Sequence, residues 1–356
     1  MAHSHPFDPS HGFEMECHHA TSLSTNPFIL GDLVLKVLLS TVGLVLCITL
    51  FMRETELRKV LHFNARAIIM VHFLAVMVNA LAQSITGAFD FLRFTVLTSS
   101  SQCDVSLLSH SYAIYINIPI ILSQNMDSLT LVALGIERTV ATVWAKSYEQ
   151  KNYRFVSISL IVASSIVSIW WVVRFFSKVQ SKHVDHNLYS MITVPSEVSG
   201  DSRLNTLVLA LLEITIFIIF LVILGINLRL RRRARRVSAP LAMKYQVEEN
   251  LASVTVLLPM AFVQVLIYGL TFILSYELGN THDMDNDNES WLLFTNISPI
   301  YHVALPVIWF IQASQKRKTV TRQAQSRVDS LAQDETKTHF DILKDLFHDN
   351  KNRTRY

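Results

Sequence analysis

Charged side chains are scarce in this chain. They make up 17% of its 356 residues, where a soluble domain carries about a quarter. Glycine and proline are scarce too, at 9 each, which excludes a collagen-like or low-complexity chain. Three cysteines exclude a disulfide framework and allow one bridge. The start, MAHSHPFDPSHGF, lacks the basic beginning and apolar centre of a cleaved signal peptide. The first membrane-crossing helix is then expected to direct insertion itself. No phosphate-binding glycine loop, nucleophile elbow or His-Glu-x-x-His run occurs, so nothing marks the chain as an enzyme and no cofactor is expected. His3, His5, His11, His18 and His19 follow no structural metal-site spacing, and no metal site is assigned.

What the chain has in abundance is apolar sequence, 51% of residues. It falls into seven stretches, about 29–52, 65–88, 107–137, 156–176, 204–228, 251–275 and 291–313. Each is long enough to cross a hydrocarbon core of roughly 30 Å, which takes about 20 residues of helix. A helix satisfies its own backbone hydrogen bonds, which lipid cannot do. A barrel needs strands of alternating polarity, and unbroken runs such as Ile214–Ile226 do not fit one. The expected fold is therefore all-α, a polytopic membrane protein built as a seven-transmembrane helix bundle. Residues 1–28 precede it, 29–313 form it and 314–356 follow as a soluble tail. The second stretch is the least regular, because His72, Asn79 and Gln83 interrupt it. In the tail, Phe340, Leu343, Leu346 and Phe347 share one helical face. That face suits the inner leaflet, a partner or a short fraying helix.

Basic residues in short loops set orientation. Arg53, Arg58, Lys59 and Arg66 follow or flank the first loop, and Arg138, Lys146, Lys151 and Arg154 lie around the third. RLRRRARR, from Arg229 to Arg236, follows the fifth span, and Lys316, Arg317 and Lys318 follow the seventh. All four segments fall on one side. The last loop on the other side holds Asp283, Asp285, Asp287 and Glu289 without a lysine or arginine. The N-terminus is expected outside and the C-terminus inside.

ATSLSTNPF (Ala20–Phe28), DFLRFT (Asp90–Thr95), ERTVAT (Glu137–Thr142) before Tyr148-Glu149, and KYQVEENL (Lys244–Leu251) occur in this order. Together with the seven spans they resemble the nematode serpentine chemoreceptors of the alpha/beta class, within the G-protein-coupled receptors. The resemblance runs from Cys17 to the end of the seventh span. It implies a chemosensory receptor in the plasma membrane, of sensory neurons, that binds a small-molecule ligand and signals through a heterotrimeric G protein. Two departures from the best-studied receptors matter. The acid–arginine pair Glu137-Arg138 is followed by Thr139 rather than an aromatic residue, and the seventh span has Pro299 and Pro306 around Tyr301-His302 instead of Asn-Pro-x-x-Tyr.

The resemblance makes Arg138, paired with Glu137, the expected point of G-protein coupling; a plain positive-inside anchor is the alternative. Arg229, Arg231 and Arg232 extend the fifth span and would touch the same partner or anionic membrane lipid, at about 1 kcal/mol per basic residue. A nucleic-acid role is excluded by their position directly after a spanning helix. Ser238 follows Arg235-Arg236-Val237, a spacing that basic-directed kinases accept. Intramembrane acids are costly and mark function by default. At 1.5 Å per residue, Asp127, Glu213 and His302 all lie roughly 15–16 Å deep, and are expected to form a polar cluster. Access from outside places the ligand in the outer half, where Gln83, Tyr112, Tyr115, Asn117, Tyr268, Phe272, Phe294 and Tyr301 offer aromatic surface with a few polar groups. Pro259 removes a backbone donor within the sixth span and suits a hinge or a static bend. Asn288 is the one Asn-x-Ser/Thr site on the outer side; Asn296 falls too deep and Asn352 on the wrong side. A channel or transporter is the alternative function, and self-association or pairing with another receptor is left open.

Cys17 precedes the first span and Cys103 begins the third, both facing the oxidising side, whereas Cys47 lies in the membrane. We expect a Cys17–Cys103 bridge that ties the N-terminal segment over the bundle. Mass mapping under non-reducing conditions should recover the linked peptide pair; two free thiols there would refute the bridge.

Overall fold

The computed structural model describes residues 21, 24–53, 63–96, 110–144, 154–181, 196–236, 241–280 and 296–315. These are helical almost throughout, and no strand occurs among the described residues. We label the helices α1 (Pro27–Met52), α2 (Phe63–Thr95), α3 (His110–Val143), α4 (Arg154–Ser181), α5 (Ser196–Arg236), α6 (Leu241–Asn280) and α7 (298–315). The first six are each long and apolar enough to cross a membrane. The chain divides into two units, Met1–Ile308 and Trp309–Tyr356. The bundle described below is the first unit. Of the second, residues 309–315 are helical.

The helices outrun the apolar stretches, most of all at the basic ends of α5 and α6. Backbone hydrogen bonding continues beyond the hydrocarbon wherever no proline or glycine stops it. As a result Arg138 does not end its helix: α3 continues to Val143. The apolar segment expected from residue 291 gives a described helix only from 298. There Asn296 caps α7, accepting from the Ser298 N–H at 3.3 Å. Pro299 then falls in the first turn, where its missing donor costs nothing. Pro119 and Pro259 do lie inside their helices. At the start of α1, Asn26 caps by accepting from the Phe28 N–H at 3.0 Å, with Pro27 next to it.

The bundle is polar within and apolar without. On α1 the buried positions are Ile29, Leu33, Lys36, Ser40, Gly43, Cys47 and Leu50, spaced alternately by four and three. This is one stripe of a 3.6-residue helix. Its middle is small or polar, while Leu35, Leu38, Val42, Val45 and Ile48 face outward. Lipid tails are as apolar as leucine, so burial of leucine drives little association. Close approach of small residues and interhelical hydrogen bonds do so instead. Helix α3 is the centre, packing against α2, α4, α5 and α6, and α5 packs along α6. Near the end of α4 away from its basic start, the Arg174 guanidinium lies 5.6 and 5.7 Å from the rings of Trp170 and Trp171, an amphipathic cluster of the kind found at a membrane interface.

Two glycines permit the closest approaches. A side chain on Gly135 of α3 would collide with Ile216 of α5. A Cβ on Gly43 of α1 would stand 2.6 Å from His302 Cβ and 2.7 Å from its carbonyl carbon and oxygen on α7. Backbone atoms cannot rotate away. Gly43→Ala should therefore lower stability by about 1–3 kcal/mol, read as a lower melting midpoint of the purified protein. Gly31→Ala, where nothing lies within 4 Å, should melt with the wild type. Equal midpoints for all three proteins would disprove the close α1–α7 contact.

Candidate functional site

Five helices place polar side chains at one level in the middle of the bundle. Helix α2 supplies His72, α3 supplies Asp127 and Ser128, α5 supplies Glu213, α6 supplies Gln264 and Tyr268, and α7 supplies Tyr301. All are buried. His72 Nε2 lies 2.9 Å from the Tyr301 hydroxyl, and that hydroxyl donates to Gln264 Oε1 at 2.8 Å. Gln264 Nε2 donates to Glu213 Oε1 at 2.9 Å, which also accepts from Ser128 Oγ at 2.5 Å. Tyr268 donates to Asp127 Oδ2 at 3.3 Å.

Donor bookkeeping fixes the role of His72. Its Nδ1 lies 3.2 Å from the Asp127 backbone carbonyl, which can only accept. It also lies 3.0 Å from Thr130 Oγ1, whose own proton goes to the carbonyls of Met126 and Asp127. Nδ1 therefore carries a proton. Nε2 shares a hydrogen bond with the Tyr301 hydroxyl. The Asp127 carboxyl completes the pair, with Oδ1 3.0 Å from Nδ1. His72 and Asp127 are thus a buried polar pair with hydrogen-bond partners on both sides, which is what such a pair needs to persist.

Of the residues singled out in the sequence, Asp127, Glu213, Tyr268 and Tyr301 meet here. Gln83 lies on the same face of α2 as His72 and donates to Asn79 Oδ1 at 3.1 Å and to Ser298 Oγ at 2.7 Å. His302 does not join Asp127. It is buried against α1, its carbonyl 4.0 Å from Cys47 Sγ, and neither ring nitrogen has a hydrogen-bond partner. Its neighbour Tyr301 takes the place expected for it. Tyr115 does not face the interior either: it is 63% exposed, with its ring 5.7 Å from that of Phe176 on α4. Asn117 is half-buried on α3, and Phe272 is half-buried and stacked on Tyr276. Tyr112 lies on α3. Phe294, Cys17, Cys103, Ser238 and Asn288 lie outside the described residues.

His72 is the residue that the sequence reading passed over as a blemish in an apolar run. The signal was present: His72, Asn79, Gln83, Thr86, Asp90 and Arg93 repeat at helical spacing, and all are buried on α2. A polar stripe at that period inside a membrane span marks a face turned to the interior.

A second polar site lies toward the basic end of α3. Arg138 is fully buried and grips Glu137 with two bonds, Nε to Oε2 at 2.5 Å and Nη2 to Oε1 at 2.6 Å. Its Nη1 donates to Asn250 Oδ1 on α6 at 3.2 Å. Nearby, Asn227 of α5 donates to Thr142 Oγ1 of α3 at 3.1 Å. On α5, Arg231 pairs with Glu248 of α6 at 2.6 Å, while Arg229 and Arg232 are exposed. Helix α6 is thus fastened to its neighbours on both sides of Pro259, through Glu248 and Asn250 below it and through Gln264 and Tyr268 above it. Among the described residues no group of three His, Cys, Asp or Glu side chains is placed to hold a metal ion.

Residues 14–347 match the family model described as serpentine type 7TM GPCR receptor class ab chemoreceptor. The chain is also similar to serpentine receptor class alpha/beta-14 of Caenorhabditis elegans, at 22% identity over 379 residues, covering 97% of this chain and 96% of that protein.

Removal of one partner from a buried hydrogen-bonded pair leaves the other unsatisfied, which costs about 1–3 kcal/mol. His72→Ala should thus lower the melting midpoint of the detergent-solubilised protein sharply. Adding Asp127→Asn to it should restore part of the loss, because an amide both donates and accepts and no longer needs the His72 donor. Additive losses in the double variant would count against the pairing.

Proposed function

As a member of the serpentine class ab chemoreceptor family of seven-transmembrane G-protein-coupled receptors, this chain is, we propose, a plasma-membrane sensor of sensory neurons. It binds a small external molecule in the outer half of the bundle and signals through a heterotrimeric G protein at the basic, cytoplasmic end. The observation that carries this reading is the double fastening of α6 on either side of Pro259. Gln264 and Asn250 are fourteen residues apart, roughly 21 Å along the helix. A ligand that draws on Tyr268, Gln264 or Gln83 competes with the bonds that hold the upper part of α6. The missing backbone donor at Pro259 lets the lower part swing. That motion parts Asn250 from Arg138 and opens a crevice between α3, α5 and α6, where Glu137, Arg138 and Arg231 meet the G protein, with Arg229 and Arg232 on the outer face of the α5 extension.

The ligand's binding energy shifts the equilibrium only as far as it prefers the open arrangement. Across the lower contact the resting state is held by the bond from the Arg138 guanidinium to Asn250, and interhelical hydrogen bonds in membrane proteins are worth on the order of 1 kcal/mol each. Such a hold is within the 1–3 kcal/mol by which one site usually influences another.

Arg138→Ala should abolish ligand-driven second-messenger production while surface expression persists. Asn250→Ala should raise ligand-free signalling several-fold, because the lower contact is lost. The decisive recording follows second messengers and membrane current together under a panel of odorants. Current that survives G-protein blockade would replace the receptor reading with a ligand-gated channel or transporter, and unchanged signalling in Arg138→Ala would remove that residue from the mechanism.

A further inference from the structure

The six arginines between Arg229 and Arg236 are not equivalent. Arg231 turns toward α6 and pairs with Glu248 at 2.6 Å. Arg229, Arg232 and Arg233 turn elsewhere. Spaced at i, i+3 and i+4, they share one face of α5. All three are exposed, and no acid pairs with them among the described residues. They line a cleft of about 540 Å³ together with Ile226 and Leu230. That volume is within the roughly 300–1,000 Å³ usual for small-molecule sites.

The cleft is graded along the helix axis. Ile226 lies on the membrane side, Arg229 and Leu230 follow one turn on, and Arg232 and Arg233 lie farthest from the hydrocarbon. Its occupant must offer several negative oxygens at one end and an apolar chain at the other. Guanidinium groups match phosphate oxygens with paired, planar hydrogen bonds. Three on one helical face exceed what a singly charged headgroup can use. We propose that this cleft is a binding site for an inner-leaflet lipid with a multiply phosphorylated headgroup, held by Arg229, Arg232 and Arg233, with its acyl chain along Ile226 and Leu230. The proposal needs only that the basic end faces the cytoplasm. It is read with neither odorant nor G protein, so its failure and the failure of the receptor reading are separate events.

The lipid sits on the face of α5 opposite to the Arg231–Glu248 pair. By binding there it adds a membrane anchor to the cytoplasmic extension of α5, against which α6 packs. Membrane composition would in this way bear on the same helix pair that moves in signalling.

The test is native mass spectrometry of the full-length chain in a zwitterionic detergent, titrated with dioctanoyl phosphatidylinositol 4,5-bisphosphate. The wild type should retain one lipid per chain, in preference to dioctanoyl phosphatidylserine. The R229Q/R232Q/R233Q variant should bind on the order of 100-fold more weakly, from about 1 kcal/mol per basic residue. K316Q/R317Q/K318Q, which removes the same charge from the same membrane face, should bind like the wild type. Each single arginine variant should lose roughly 5-fold by the same arithmetic, which keeps the test alive if the triple variant does not fold. Equal weakening in both triple variants would reduce the cleft to general surface charge, and an unaffected R229Q/R232Q/R233Q would overturn the site. Inositol 1,4,5-trisphosphate binding as tightly as the lipid would overturn the assignment to a lipid.

Discussion

The buried His72–Asp127 pair is the constraint around which this bundle is arranged. Two ionisable groups buried in a hydrocarbon-embedded protein cannot turn to water. Each must be matched by the other and by hydrogen bonds from neighbours. Matching them recruits Tyr268 from α6, Tyr301 from α7 and Thr130 from α3. Tyr301 in turn engages Gln264, which reaches Glu213 on α5. One pair thereby sets the rotation of five helices about their axes. In a soluble protein the apolar core would do this. Here the apolar residues face lipid that is equally apolar, and the polar interior supplies the specificity.

Helix α6 is where this network becomes useful. It contributes two members of the network above Pro259 and one partner of Arg138 below it. The two contacts differ in kind. The upper one is tied to the buried His72–Asp127 pair and resists breaking. The lower one includes the bond from Arg138 to a neutral amide, and Arg138 also holds Glu137 with a bidentate grip that does not depend on α6. In the signalling proposed above, an arginine that stays charge-matched in both arrangements would make the change inexpensive, so a modest ligand preference would suffice to drive it.

The arginine-rich end of α5 shows the same division of labour. One arginine closes α5 onto α6 through Glu248. Others face away, free for lipid or partner. A uniform charge run in sequence becomes two faces once it is wound on a helix that has a neighbour on one side only.

The fold was legible because its signals are one-dimensional. Span length follows from membrane thickness, and orientation follows from where lysine and arginine sit. Both survive without any knowledge of neighbours. The buried acids Asp127 and Glu213 and the pair Glu137-Arg138 were legible for the same reason: a charge in a span is visible in any arrangement. The choice between Tyr301 and His302 was not. Successive residues on a helix point about 100° apart. Which of two adjacent side chains enters the network depends on how α7 is rotated against α1, and that rotation is set by Gly43 meeting the His302 backbone. Tyr115 was misread for the same cause, since sequence depth says nothing of which way α3 turns. The sequence by itself determined how many spans the chain has, where along each span the polar groups fall and which end is basic. Only the tertiary structure decided which polar groups meet, because partner choice is a matter of helix rotation and close approach, and these are properties of pairs of helices.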